Sequence, residues 1–260
     1  MTLTTSPKPV AATSDDDVVL ELPDRLAGDY TVERSLGHSS LGPTFLARSP
    51  VSGRPVVVKI LADDLSADEV QRGRFLRAAE LGMRLSHPNV TRIFKAGVDE
   101  CAYAVMEHID GETLANRLQR GERLSPAEAL TLATHLAAGL AHAHASGVVH
   151  GALDAGSVVL GHDGVARICD FGFDRLSESR NAAAADDVHG FGTILRQASA
   201  DGLPPGLTAL VDAALAHPSV RPSAFDVFHQ VVTLTSPPGV WLAGAVTSIG
   251  AGHPAIDGDS

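Results

Sequence analysis

The sequence is poor in aromatic residues, in cysteine and in lysine, and each shortage narrows what it can be. Aromatics make up 4% of its 260 residues, so Ala, Val and Leu must fill the core. The two cysteines, Cys101 and Cys169, show neither paired nor metal-ligand spacing, which argues against a disulfide scaffold and fits a reducing cytosol. Basic charge is scarce as well: 20 Lys and Arg stand against 31 Asp and Glu, a formal net charge of −11 with no basic run. Duplex nucleic acid would be repelled, so no nucleic-acid partner is expected. No uncharged stretch reaches the ~20 apolar residues of a membrane span. GVWLAGAVTSIGAG near the end is shorter, is broken by glycine and hydroxyl residues, and reads as a flexible tail. The opening MTLTTSPKPVAATSDDD lacks the basic start and apolar centre of a signal peptide. A cytoplasmic location without a membrane span is therefore expected.

What remains is 44% hydrophobic and 20% charged, the balance of a soluble folded protein. At 27.0 kDa the chain suits one bilobed domain or two small ones. Residues 1–28 read as a Thr/Ser/Pro-rich disordered leader. β-like runs at 30–36, 44–47 and 56–61, parted by Gly/Ser/Pro segments, predict an antiparallel meander. Ser66-Ala67-Asp68-Glu69 has the form of a capping box and predicts a helix start at Ser66 that ends before Pro88. Strands follow at 90–98 and 102–109. From Gly111 the pattern becomes helical, with a second capping box at Ser125-Pro126-Ala127-Glu128 opening a helix that runs to about Ser146. VVL and VARICD flank GHDG as a short hairpin, and helices are predicted at 187–197, 206–216 and 224–234. The expectation is an α+β, bilobal chain: a small lobe over 29–107 with five antiparallel strands and one helix, a mainly helical lobe over 108–235, and a tail over 236–260.

Lysine is the informative scarcity. There are three, Lys8, Lys59 and Lys95, and Lys59 lies inside VVVKILA, the most apolar of the strands. A cation there either snorkels from an edge or faces an anionic partner. The order of features around it resembles the eukaryotic-type protein kinase fold, in the form of the bacterial serine/threonine kinases. LGHSSLGPTF stands at the Gly-rich loop, VVVK at the third-strand lysine, RFLRAAELGMRLSHPNV at helix C, and VMEHIDGETL at the hinge. GVVHGALDAGSVVL stands at the catalytic loop, ICDFG at the metal-binding motif, and DDVHGFGTIL at the start of helix F. The resemblance covers about residues 29–235. It implies a cleft for ATP formed by Gly37, Gly42, Val57, Lys59, Glu107, Ile109 and Asp170, with Asp170 as the one remaining ligand for Mg.

Against that pattern, the parts that transfer phosphate are altered. The catalytic loop reads His150, Gly151, Ala152, Leu153, Asp154, Ala155, Gly156, Ser157. Ala152 replaces the aspartate that accepts the substrate proton, a loss worth ~10² to 10⁴ in rate. Asp154 puts a negative charge where a lysine approaches phosphate, and Ser157 replaces the asparagine on the second metal. Counting back from His87-Pro88-Asn89 puts Ala78 at the position of the helix C glutamate. Glu80, two residues on, is rotated by about 200°, so Lys59 is expected to pair with Asp170. In the Gly-rich loop Ser39 takes the middle glycine position and Pro43 removes an amide.

Asp187 follows Asp170 by only 17 positions, which leaves a truncated activation segment with Ser177 and Ser179 as its hydroxyls. Arg221 resembles the arginine that pairs with the glutamate of the missing docking motif, and is expected to lack that partner. The close histidines His142, His144 and His150 read as structural, and Arg72, Arg74 and Arg77 as a solvated helix face. Thr13, with Asp16 three residues on, has the form a phosphothreonine-binding partner accepts. The expected function is a pseudokinase: a regulatory module that binds an unidentified protein partner, with weak ATP binding. The alternative is an active atypical kinase with Asp154 as base and Glu80 on Lys59; a third reading is a nucleotide sensor.

Overall fold

The computed structural model describes residues 25–26, 29–173, 184–199 and 202–235. The upper lobe is an antiparallel sheet in the order β1-β2-β3-β4-β6-β5, made of β1 (Arg25–Leu26), β2 (Tyr30–Ser39), β3 (Gly42–Arg48), β4 (Pro55–Ile60), β5 (Ile93–Val98) and β6 (Ala102–Glu107). Five of these are the expected strands. The sixth, β1, is a two-residue edge inside the span read as leader. It forms because Leu26 packs with Tyr30 against the small cluster of Ala47, Val58 and Tyr103.

Alternation along β4 positions the site. Val56 and Val58 point to that outer cluster. Val57 and Lys59, one residue out of phase, point the other way, and β4 is held centrally by β3 and β6. Two helices follow instead of one: α1 (Asp63–Ala67) and α2 (Glu69–Gly82). The Ser66 capping box does not form. Ser66 lies within α1, buried, and its hydroxyl accepts from the amide of Ala102. Asp68 caps α2 instead, its carboxylate accepting from the amides of Val70 and Gln71. Both are N-cap residue types, and the carboxylate wins because the hydroxyl is drawn into the core.

The lower lobe holds β7 (Gly111–Thr113), α3 (Leu114–Gln119), α4 (Pro126–Ala145), β8 (Val158–Gly161), β9 (Ala166–Ile168), α5 (Ala184–Ala198), α6 (Pro205–Leu215) and α7 (Ala224–Thr235). The capping box of Ser125 and Glu128 opens α4 as expected. β7, β8 and β9 form a second small sheet, of which β8 and β9 are the expected hairpin. α4 is the axis of the lobe, and its buried residues are Ala, Leu and one Gly. Small side chains let neighbours approach closely: a methyl at Gly139 would meet the Asn89 carbonyl oxygen at 2.9 Å. A core short of aromatics is thus closed by near contact of backbones.

Candidate functional site

A cleft of about 420 Å³ lies between the lobes, within the range of small-molecule sites. Gly37, Val57, Lys59, Glu107, Ile109 and Asp170 all line it. Gly42 lies off its wall: with φ at +132°, it packs so near β4 that a methyl there would meet the Ile60 carbonyl oxygen and the Ala62 amide. The loop between β2 and β3 turns back on itself. Ser39 Oγ accepts from the Leu41 amide and donates to the Gly42 carbonyl. Leu41 is buried in the upper core with Leu61, Phe75 and Phe173. One amide of the loop is therefore occupied by the serine that replaces glycine, and Leu41 is anchored in the upper core while His38 and Ser39 line the cleft.

Lys59 is 6% exposed, and its Nζ stands 2.8 Å from Asp170 Oδ1. Asp170 adopts φ +64°, the only positive φ at a non-glycine among the described residues. That left-handed turn, which aspartate tolerates better than most residues, brings its carboxylate under β4. The Ala78 side chain is buried opposite this turn, and Glu80 is exposed on another face of α2. Beside Asp170, burial and the neighbouring anion push the Cys169 thiol well above its usual range, so it stays protonated and is a poor nucleophile.

The loop after α4 is fixed from below. Asp187, fully buried on α5, accepts from the amides of His150 and Gly151 at 2.8 Å each and from His144 Nε2 at 2.7 Å. His150 Nε2 meets the Cys169 carbonyl at 2.9 Å, and its ring stands edge-on to Phe171. The frame that presents a catalytic loop is therefore intact. Its contents depart from the family pattern at Ala152, Asp154 and Ser157. Ala152 is exposed and offers a methyl group. Asp154 Oδ1 accepts from the amides of Gly156 and Ser157 and holds the short 3-10 turn Ala155–Ser157. Ser157 is buried with its hydroxyl on the Asp154 carbonyl, so the cleft wall there is Gly156.

A pair of magnesium ions does not fit this donor set. Asp170 alone faces the cleft as a carboxylate ligand on that side, and it already pairs with Lys59. A single hydrated Mg held by Asp170 and by phosphate oxygens is compatible with the usual magnesium preference for one or two carboxylates. No group of three or more His, Cys, Asp or Glu that could hold a metal occurs among the described residues. His142 instead stacks on His87 at 5.0 Å, and His144 and His150 serve Asp187 and Cys169.

The model for the family described as protein tyrosine and serine/threonine kinase matches residues 30–192. The chain belongs to that family. Among kinase relatives, PrkC of Bacillus subtilis is 30% identical over 64% of this chain and 26% of its own length. PkaB of Streptomyces coelicolor is 29% identical over 88% and 52%, and PkaA of the same organism 33% over 77% and 41%. The chain thus spans about a quarter to a half of the length of these kinases. The crystal structure of the Mycobacterium tuberculosis PknI kinase domain, in a cysteine-to-alanine variant, superposes with a TM-score of 0.68 at 24% identity, over 84% of this chain and all of that one. That likeness shows the bilobal kinase fold.

Arg221 and Arg72 carry contacts that the sequence pattern does not reveal. Arg221 has partners: Nε donates to the Ala216 carbonyl, and Nη1 donates to the Ala185 carbonyl and lies 3.8 Å from Asp186. The Ala216 carbonyl at the end of α6, with the Ala185 carbonyl and the Asp186 carboxylate at the start of α5, holds the guanidinium. Arg72 is also engaged, donating to the Ser66 carbonyl, whereas Arg74 and Arg77 are exposed. Thr13, Ser177, Ser179, the shortened segment and the tail lie outside the described residues. The sequence reading missed Phe173, which follows the Asp-Phe-Gly turn and is buried under Lys59. Its signal was present: in a chain with 8 phenylalanines, two flank Gly172.

Proposed function

We propose that this kinase-family chain is a pseudokinase, a module that acts by engaging a protein partner while transferring no phosphate, with ATP a weak ligand of its interlobe cleft. One observation carries the reading. The position that the family pattern gives to the proton acceptor is the exposed methyl of Ala152, and the nearby carboxylate of Asp154 is bound to its own turn. Support comes also from the inward hydroxyl of Ser157 and from Glu80 facing away from Lys59. Such a module fits the cytoplasm, and no described helix is long and apolar enough to cross a membrane.

Weak ATP binding is supported by the cleft volume, by Lys59 and by the hinge. The Glu107 amide there is bound to the Arg92 carbonyl, while the neighbouring hinge residue Ile109 lines the cleft. When bound, Mg would supply charge neutralisation for phosphate at Asp170. The test is a pair of measurements on the whole chain. ATP titration followed by thermal shift, with and without Mg, is expected to give a small, dose-dependent rise; a ligand at 100 times its Kd adds about 2.7 kcal/mol. Radiolabelled ATP is expected to give no transfer above background to the chain or to a generic protein acceptor. Transfer that disappears in Asp170→Ala or Lys59→Ala overturns the proposal, and loss in Asp154→Asn would establish the active atypical kinase in its place.

A further inference from the structure

We propose that Phe173 is the positioning residue of Lys59 in this chain, and that its ring face stands in for the acid that helix α2 lacks at position 78. The inference deepens the reading above and rests on it only in taking Lys59 to face a ligand. Lys59 Nζ lies 5.3 Å from the centroid of the Phe173 ring, inside the ~6 Å at which the negative face of an aromatic ring attracts a cation. The ring is fully buried and packs at 5.0 Å, tilted by 49°, against Phe75 of α2. Leu41 from the loop after β2, Leu61 after β4, Ala79 of α2 and Ile93 of β5 belong to the same cluster.

The position of that ring answers a chemical need. An ammonium group this buried requires more than one electron-rich neighbour, because water reaches it poorly. Asp170 supplies one oxygen. A carboxylate from α2 would ordinarily supply another, and here Ala78 offers a methyl group whose small size leaves room for the chain at Gly172, whose Cβ position lies 3.6 Å from the Ala78 Cβ. The chain then delivers Phe173 beneath the lysine. Both Asp170 and Phe173 belong to one four-residue turn, so Lys59 is tied to that turn and α2 is docked to it through apolar contact. An outward shift of α2 would leave the Asp170 pair to Lys59 in place, and the turn carries both the carboxylate and the ring that meet the cation.

With three lysines in the chain, protein carrying isotope-labelled lysine gives three sets of side-chain signals, and the set absent from Lys59→Arg belongs to Lys59. The expected wild-type result, without ligand, is a Lys59 ε-methylene displaced upfield by the ring and motionally restricted. Phe173→Leu keeps an apolar side chain of similar bulk without a ring face, and leaves Asp170 in place. The displacement should vanish and the restriction should fall toward that of an exposed lysine. A ring-fluorinated phenylalanine placed at 173 preserves shape and weakens the ring face, and should give an intermediate result.

A wild-type signal without the displacement overturns the proposal. So does a Lys59 as restricted in Phe173→Leu as in wild type, which assigns the restriction to contacts other than the ring, Asp170 among them, and so does indifference to fluorination, which assigns it to bulk. ATP titrated into the same samples forms a separate arm: where it binds, its Kd should rise on the order of tenfold in Phe173→Leu. Absence of ATP binding to wild type removes the nucleotide part of the reading above, and the Lys59 signal then decides this proposal by itself.

Discussion

Single side chains here were legible where their chemistry was out of place. A lysine in an apolar strand demands an anion, and Asp170 is the nearest candidate in motif order; the 2.8 Å contact follows from that demand. Asp187 was read only as a marker for the start of a helix, because the strength of a buried carboxylate depends on which donors the fold brings to it. Three arrive: two amides and the His144 ring. Removing one acceptor from a closed site leaves every donor unsatisfied, a loss larger than any bond it made. Asp187→Ala is therefore expected to lower unfolding free energy by about 3 to 5 kcal/mol, and His144→Ala by about 1 kcal/mol, since the two amides keep their acceptor. Urea midpoints for the two variants check the order. Equal losses would show that the imidazole, and not the amides, dominates the site.

Elements were legible where their signals are contiguous. The box at Ser125-Pro126-Ala127-Glu128 is complete within four residues and forms as read. Its counterpart at Ser66 failed because the same hydroxyl had a second use, the Ala102 amide, 36 residues away and invisible to a local pattern. The short β7 and α3, and the break between α1 and α2, escaped for the same reason: tertiary contacts set their boundaries.

The box that formed carries a pH signature. The Ser125 amide, the Arg117 guanidinium and the Ser125 hydroxyl hold the Glu128 carboxyl at about 2, below its ordinary 4.5. A carboxylate depressed in the folded state contributes stability that is complete above the unfolded value and is lost as pH falls through the folded one. The window is therefore about pH 4.5 down to about 2. Glu128 is half exposed, so screening limits its worth to about 0.5 to 1 kcal/mol. Glu128→Gln is expected to flatten the acid limb of a stability curve within that window and to lower stability by that same constant amount above pH 6. Unaltered slope in the variant would assign acid sensitivity to other carboxylates.

At the scale of the molecule, the two lobes are joined by more than the hinge. The segment between α2 and β5 leads from one core to the other: Leu85 and Val90 are buried in the lower cluster, and Ile93, which opens β5, in the upper one. Between them Asn89, buried, donates from Nδ2 to the Ala166 carbonyl at 2.9 Å and accepts at its own carbonyl from the Ile168 amide, while the Thr91 amide donates to the Ile168 carbonyl. This stitches the bridging segment to β9, whose next residues are Cys169 and Asp170. A displacement of the bridge therefore reaches the Lys59 turn through two peptide units. Asn89→Ala deletes the side-chain bond and leaves the Ala166 carbonyl buried, at an expected cost of about 1 to 3 kcal/mol. If the lobes share one cooperative unit, amide exchange in that variant should quicken in α2 and in β9 by the same factor. Faster exchange confined to β9 would mean that the lower lobe opens there by itself, and that Phe173, not the bridge, carries the coupling between the cleft and α2.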